Sequence, residues 1–157
     1  MKKEIAYFGA GCFWRPQLVF DKIPGVIETE VGYMGGKIKN PSYEMVYAYD
    51  TGHIETIKVV YDSDKVSYET LLDTFWDIHD PTQFNRQGPD VGSQYKSVIF
   101  YTTPKQKEIA EKTKIKIQDK FKGRRVFTEI INAVSFPFYK AEEYHQKYIQ
   151  KTGRNVC

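Results

Sequence analysis

Apolar and polar positions along this chain follow two rhythms. Residues 26–34 set Ile27, Thr29, Val31 and Tyr33 against Val26, Glu28 and Glu30, the two-residue period of a strand with unlike faces. Residues 54–61 are rich in β-branched side chains, and 3–8 and 95–101 are short apolar runs, so all three read as strands. Residues 67–79 instead space Leu71, Leu72, Phe75, Trp76 and His79 on a helical period, and 13–22 also read as a helix. Thr103 opens a further helix. Pro104 takes its first position, Gln106 completes a capping box with Thr103, and Ile109, Thr113, Ile117 and Phe121 share one face. Residues 126–134 read as a strand and 139–149 as a last helix. The small and polar Thr152, Gly153, Arg154 and Asn155 make 150–157 a mobile tail. Two long segments, 35–52 and 79–94, carry Gly, Pro, Asn and Ser and read as loops, which at this length are usually functional. The pattern predicts one α+β domain over residues 1–157: a two-layer sandwich on a mixed sheet, with a ferredoxin-like core and long functional loops.

Composition changes this picture mainly by exclusion. The 157 residues are 41% hydrophobic and 27% charged, ordinary for a globular chain that buries a core. A net charge of +3 is too mild to point to nucleic acid. The nine basic and three acidic residues over 105–125 read as a solvated helix face. No apolar run is long enough to span a bilayer. Met1-Lys2-Lys3 resembles the start of a signal peptide, but Glu4, Gly9 and Gly11 interrupt the short apolar run behind it, so a cytoplasmic protein is expected. Two distant cysteines make neither a disulfide framework nor a zinc site, and no metal or other cofactor is expected.

Those two cysteines are nevertheless the most informative residues. Cys12 follows an apolar strand that ends in glycines, and precedes Phe13, Trp14 and a helix. A thiol at such a turn feels the positive end of the helix dipole, which favours thiolate. Cys157 is the last residue, on a tail free to move. An activated thiol in an aromatic setting and a second mobile thiol suggest two-step redox chemistry. Glu55 sits in an apolar strand, where burial would keep its carboxyl protonated and able to act as an acid.

Three segments carry a family resemblance: Gly11-Cys12-Phe13-Trp14; Tyr43 with Thr51-Gly52-His53-Ile54-Glu55; and the run from Asp80 to Asp90, continuing to Gly92 and Gln94-Tyr95. In order and spacing these resemble the A-type peptide methionine sulfoxide reductases, over nearly the whole chain. The resemblance implies that Cys12 attacks the sulfoxide sulfur of the S epimer, and that Phe13 and Trp14 hold the S-methyl group. It implies that Glu55 protonates the sulfoxide oxygen, that Tyr43 and Tyr95 hydrogen-bond it, and that Asp90 helps to hold the site. Cys157 would resolve the sulfenic acid as a disulfide, which a thioredoxin-like reductant would reopen. Substrates would be methionine sulfoxide, free or in oxidised proteins, and the working unit a monomer. Arg15-Pro16-Gln17 depart from the glycine and acidic residue that commonly occur there in the family, and Lys96 from its arginine. Two other readings stand beside this one. The first is a thiol hydrolase or acyltransferase pairing Cys12 with His53 or His79. The second is a non-catalytic module that binds through its aromatics and basic helix.

Overall fold

The computed structural model of the chain describes residues 1–155. In order, the elements are β1 (Lys3–Ala10), α1 (Trp14–Asp21), β2 (Val26–Met34), α2 (Tyr43–Ala48), β3 (Ile54–Asp62) and α3 (Tyr68–Asp77). After these come β4 (Arg86–Gln87), β5 (Asp90–Val91), β6 (Ser97–Tyr101), α4 (Pro104–Lys120), β7 (Glu129–Asn132), β8 (Tyr139–Lys140) and α5 (Tyr148–Thr152). The main sheet runs β7-β6-β1-β3-β2-β8. Its neighbours are antiparallel except for the parallel pair β6–β7. Within it, β1-α1-β2-β3-α3-β6 has the spatial strand order β6-β1-β3-β2, the ferredoxin-like arrangement, and β7 makes the sheet mixed. The fold expected from the sequence pattern is therefore the one observed.

Alternation on the strands builds the core. Ala6 and Phe8 of β1, Ile57 and Val59 of β3 and Ile99 of β6 pack on one face against Phe20 of α1, Leu71, Leu72 and Phe75 of α3 and Ala110 of α4. Phe8 is its centre, stacked on Phe20, Tyr68 and Phe75 at centroid distances of 5.4, 6.1 and 5.2 Å. The other face buries Met34, Ile54, Val98 and Phe100 beneath Phe136 and Phe138. Ser42, Ser67 and Thr103 cap α2, α3 and α4 by accepting from backbone N–H groups three residues on. The capping box at α4 is offset: the Gln106 side chain accepts from Thr102 N–H, not from Thr103.

Several boundaries differ from expectation. The segment 35–52 contains α2, and 79–94 contains the hairpin β4–β5 with a 3₁₀ turn at Ser93–Tyr95. The strand expected over 126–134 shortens to β7. The largest correction is 139–149, which is not one helix. It is β8, a 3₁₀ turn at Glu143–His145, an extended Gln146 and the start of α5. The physical reason is the open edge of β2, whose backbone groups need partners. β8 pairs with Gly32 and Tyr33, Ala141 N–H donates to Val31 O, and the Gln146 amide both accepts from Val31 N–H and donates to Val31 O. Lys147, left-handed at φ 57°, then turns the chain into α5.

Candidate active site

Because β1 is bonded on both edges, the turn at its C-terminal end lies mid-sheet, beside the start of β3 and the approach to β6. Gly11 makes that turn at φ +88°, a conformation that side chains with a Cβ rarely adopt. It aims Cys12 and Phe13 back over the sheet end. Phe13 becomes the N-cap of α1 and is buried against Val31 and Tyr33, and its N–H donates to Glu55 Oε1 at 3.3 Å.

A cavity of about 410 Å³ opens here, lined by Cys12, Phe13, Trp14, Tyr43, Glu55, Pro89, Asp90 and Tyr95. Every site residue expected from the sequence within the described part of the chain lies in this wall. They arrive from six places: the β1–α1 turn, the start of α1, α2, β3, the β4–β5 hairpin and the 3₁₀ turn before β6. Cys157 lies outside the described residues.

Burial governs the electrostatics. Glu55 is 3% exposed. Its carboxyl is pushed up to about 8, chiefly by burial, with the Asp90 charge adding to the rise and the bond from Phe13 N–H opposing it. It therefore holds a proton at neutral pH. Burial also raises the Tyr43 and Tyr95 phenols, with the Glu55 charge as the next cause, so both remain hydrogen-bond donors. The pocket thus sets the Cys12 sulfur beside a neutral carboxylic acid and two neutral O–H donors, against an apolar wall of Phe13 and Trp14. That set can polarise and protonate an oxygen bonded to a soft atom while a sulfur nucleophile attacks that atom.

His53 and His79 are occupied elsewhere. His53 donates from Nε2 to Ile38 O at 2.6 Å and accepts from Gly36 N–H at Nδ1. His79 donates from Nδ1 to Phe75 O at 2.6 Å, and its Nε2 faces Ser97 Oγ at 2.7 Å. Burial holds its imidazole neutral, down at about 4. Neither lines the cavity with Cys12, so the Cys–His pair is not formed.

Three supporting residues are not singled out by sequence pattern, and all lie in the C-terminal segment expected to be a helix. His145 Nδ1 accepts from Trp14 Nε1 at 2.9 Å, and its ring lies edge-on to Phe13 and against Tyr43. Tyr148 stacks on Trp14 at 3.9 Å, with 13° between the planes. Glu142 accepts from Tyr33 OH and from Tyr43 N–H, both at 2.8 Å, tying α2 to β2. The signal available was the polar-aromatic run Glu142-Glu143-Tyr144-His145, too polar for an ordinary core helix face.

A family model described as peptide methionine sulfoxide reductase matches residues 4–157. The peptide methionine sulfoxide reductase MsrA of Methanoculleus marisnigri is 51% identical over 154 residues, covering 98% of this chain and 93% of that one. Among solved structures, Mxr1 from Saccharomyces cerevisiae in reduced form superposes with a TM-score of 0.91 at 32% identity, covering 99% of this chain and 89% of that one. Mxr1 in complex with Trx2 matches at a TM-score of 0.65 and 25% identity, over 94% of this chain and 85% of that one. With full-length relatives at this identity and the cavity assembled as the motifs require, the chain belongs to the A-type peptide methionine sulfoxide reductases, and its reaction is the reduction of methionine sulfoxide.

Proposed function

We propose that Cys12 takes the sulfoxide oxygen in two steps, that the enzyme acts on the S epimer, and that Cys157 completes the cycle. The observation that carries this reading is the single cavity holding Cys12, Glu55, Tyr43 and Tyr95 beside Phe13 and Trp14. The substrate S-methyl group rests on Phe13 and Trp14, and the oxygen points to Glu55, Tyr43 and Tyr95. The Cys12 thiolate attacks the sulfoxide sulfur as Glu55 delivers a proton to the oxygen. The hydroxyl then passes to the Cys12 sulfur as the S–O bond and the newly formed S–S bond break, so methionine leaves with its sulfur reduced by two electrons and Cys12 is left as the sulfenic acid, oxidised by two. The Cys157 thiol then displaces water from that sulfur to give a disulfide. A dithiol of the thioredoxin class exchanges with the disulfide and restores both thiols. The Trx2 complex of the similar Mxr1 supports that choice of reductant. Placing the methyl group and the oxygen fixes two of the three substituents on sulfur, so the pocket admits one epimer.

One experiment tests these steps together. The protein is mixed with excess racemic methionine sulfoxide, first without reductant and then with thioredoxin. Without reductant, one methionine is released per chain and two thiols are lost. With thioredoxin, half of the sulfoxide is consumed and the R epimer remains. Consumption of both epimers overturns the pocket assignment. Turnover by Cys12→Ser overturns the nucleophile. Wild-type turnover of Cys157→Ser with thioredoxin overturns the resolving role.

A further inference from the structure

We propose that Gln87 is a positioning residue for the reductase site: its side chain seats the β4–β5 hairpin on the Cys12 turn and thereby sets Asp90 in the cavity wall. The proposal rests on the roles proposed for Cys12 and Glu55.

The hairpin needs such an anchor. Its strands are two residues each, and Arg86, Gly88, Pro89 and Val91 are exposed, so apolar burial contributes little to its placement. Gln87 is the residue that turns inward. Its amide is used at both ends on one backbone unit: Asp80 N–H donates to Gln87 Oε1, and Gln87 Nε2 donates to Asp80 O, both at 2.9 Å. Asp80 is itself fixed, its carboxylate accepting from Thr82 N–H and Oγ1, Gln83 Nε2 and Arg124 Nη2. The Gln87 stem meets the Cys12 turn. A Cβ at Gly11 would lie 2.7 Å from Gln87 Cβ and 2.8 Å from Gln87 Cγ, so the methylenes rest on the bare Gly11 Cα. Across the hairpin, Gln87 is the register partner of Asp90. One side chain therefore bridges a fixed loop, the turn that aims Cys12, and the strand that carries Asp90.

Asp90 matters through its charge. The groups around Glu55 are the Cys12 sulfur and Phe13 N–H on the β1–α1 turn, Tyr33 on β2, Tyr43 on α2, Tyr95 before β6 and Asp90 on β5. Asp90 is the carboxylate among them, and its charge helps to keep the Glu55 proton in place. A hairpin that drifts takes that charge away. Glu55 then loses its proton at lower pH, and the alkaline limit of the reaction moves to lower pH.

The test is single-turnover methionine release across pH in Gln87→Met, which keeps the stem on Gly11 but loses both amide bonds. We expect a loss of rate of up to about 100-fold, the scale on which a misplacement of about 1 Å acts, and an alkaline limit shifted to lower pH. In an Asp90→Asn background the same substitution should shift that limit no further. Gln87→Asn keeps the amide but withdraws it by one methylene. It should shift the limit in the same direction, which keeps the test valid if the Met variant is unfolded. A Gln87→Met variant with lowered melting temperature but wild-type rate and pH limit would reduce Gln87 to a structural residue and overturn the proposal. So would an equal shift in the Asp90→Asn background. Failure of the wild type to release methionine would instead overturn the reading of the site itself.

Discussion

Glu55 shows how one residue is set against its own fold. An ordinary glutamate ionises near 4.5, whereas this one is held up at about 8. Between those values the folded protein keeps a proton that the unfolded chain releases. Stability therefore falls as pH rises from about 4.5 to about 8 and levels off above. Glu55→Gln removes that cost and keeps the side chain's shape. We expect the variant to be more stable at pH 8 by roughly 1–3 kcal/mol in urea unfolding. Its single-turnover methionine release should be slower by on the order of 10²–10⁴-fold, since an amide cannot deliver a proton. An unchanged single-turnover rate would remove Glu55 from the acid role. Glu142 makes the opposite case, a carboxylate kept for its bonds. Tyr33 is fully buried, and its hydroxyl donates to Glu142. Glu142→Ala leaves that hydroxyl without its partner and releases the Tyr43 N–H. The cost should be ~1–3 kcal/mol of stability, together with a raised KM as Tyr43 loosens.

Elements seat the site by closing edges. β8 lies so near β2 that a Cβ at Gly32 would stand 2.4 Å from Tyr139 O. Gly32→Ala must push β8 away, and with it Glu142 and His145. We expect ~1–3 kcal/mol lost, with Trp14 fluorescence altered because its partner His145 moves with the strand. Native spectra with unchanged stability would show that β8 is not needed to hold Trp14. Thr103 belongs to a different part of the fold. Its hydroxyl accepts from Gln106 N–H at 3.1 Å. Thr103→Ala should cost about 1 kcal/mol and leave methionine release unchanged, because α4 contributes nothing to the cavity wall.

The molecule as a unit is organised around Phe8, whose ring joins β1 to α1 and α3 just before the glycine-rich approach to Cys12. Phe8→Ala should cost ~3–5 kcal/mol, read as a lowered urea midpoint, and should reduce activity at temperatures where the variant remains folded. A stable, fully active variant would mean that the site is held from the sheet edges alone. Among the described residues no helix is long and apolar enough to cross a membrane.

The local part of this architecture was legible in the chain. The strands carry a two-residue period and Val, Ile, Tyr and Phe; one helix starts at Thr103 with its own cap; the thiol stands at a glycine turn; and an acid stands in an apolar strand. Such signals need only neighbours in sequence, because backbone preference and side-chain alternation act over a few residues. Motif order added the family, and with it Asp90 and the tyrosines Tyr43 and Tyr95, which composition could not single out among twelve. Other features were decided only when distant segments met. The run 139–149 has an acceptable helical pattern, yet the unpaired edge of β2 outweighs it, since backbone groups left without partners cost more than a helix of that length gains. Gln17 and Gln146 are polar residues whose partners the sequence does not name. In the fold their amides satisfy backbone groups of Lys147 and Val31 across 130 and 115 residues of chain. His145 likewise gains its meaning from Trp14, 131 residues away in sequence and 2.9 Å away in space. Periodicity and caps are properties of a segment; the satisfaction of a buried polar group is a property of whatever comes to lie against it.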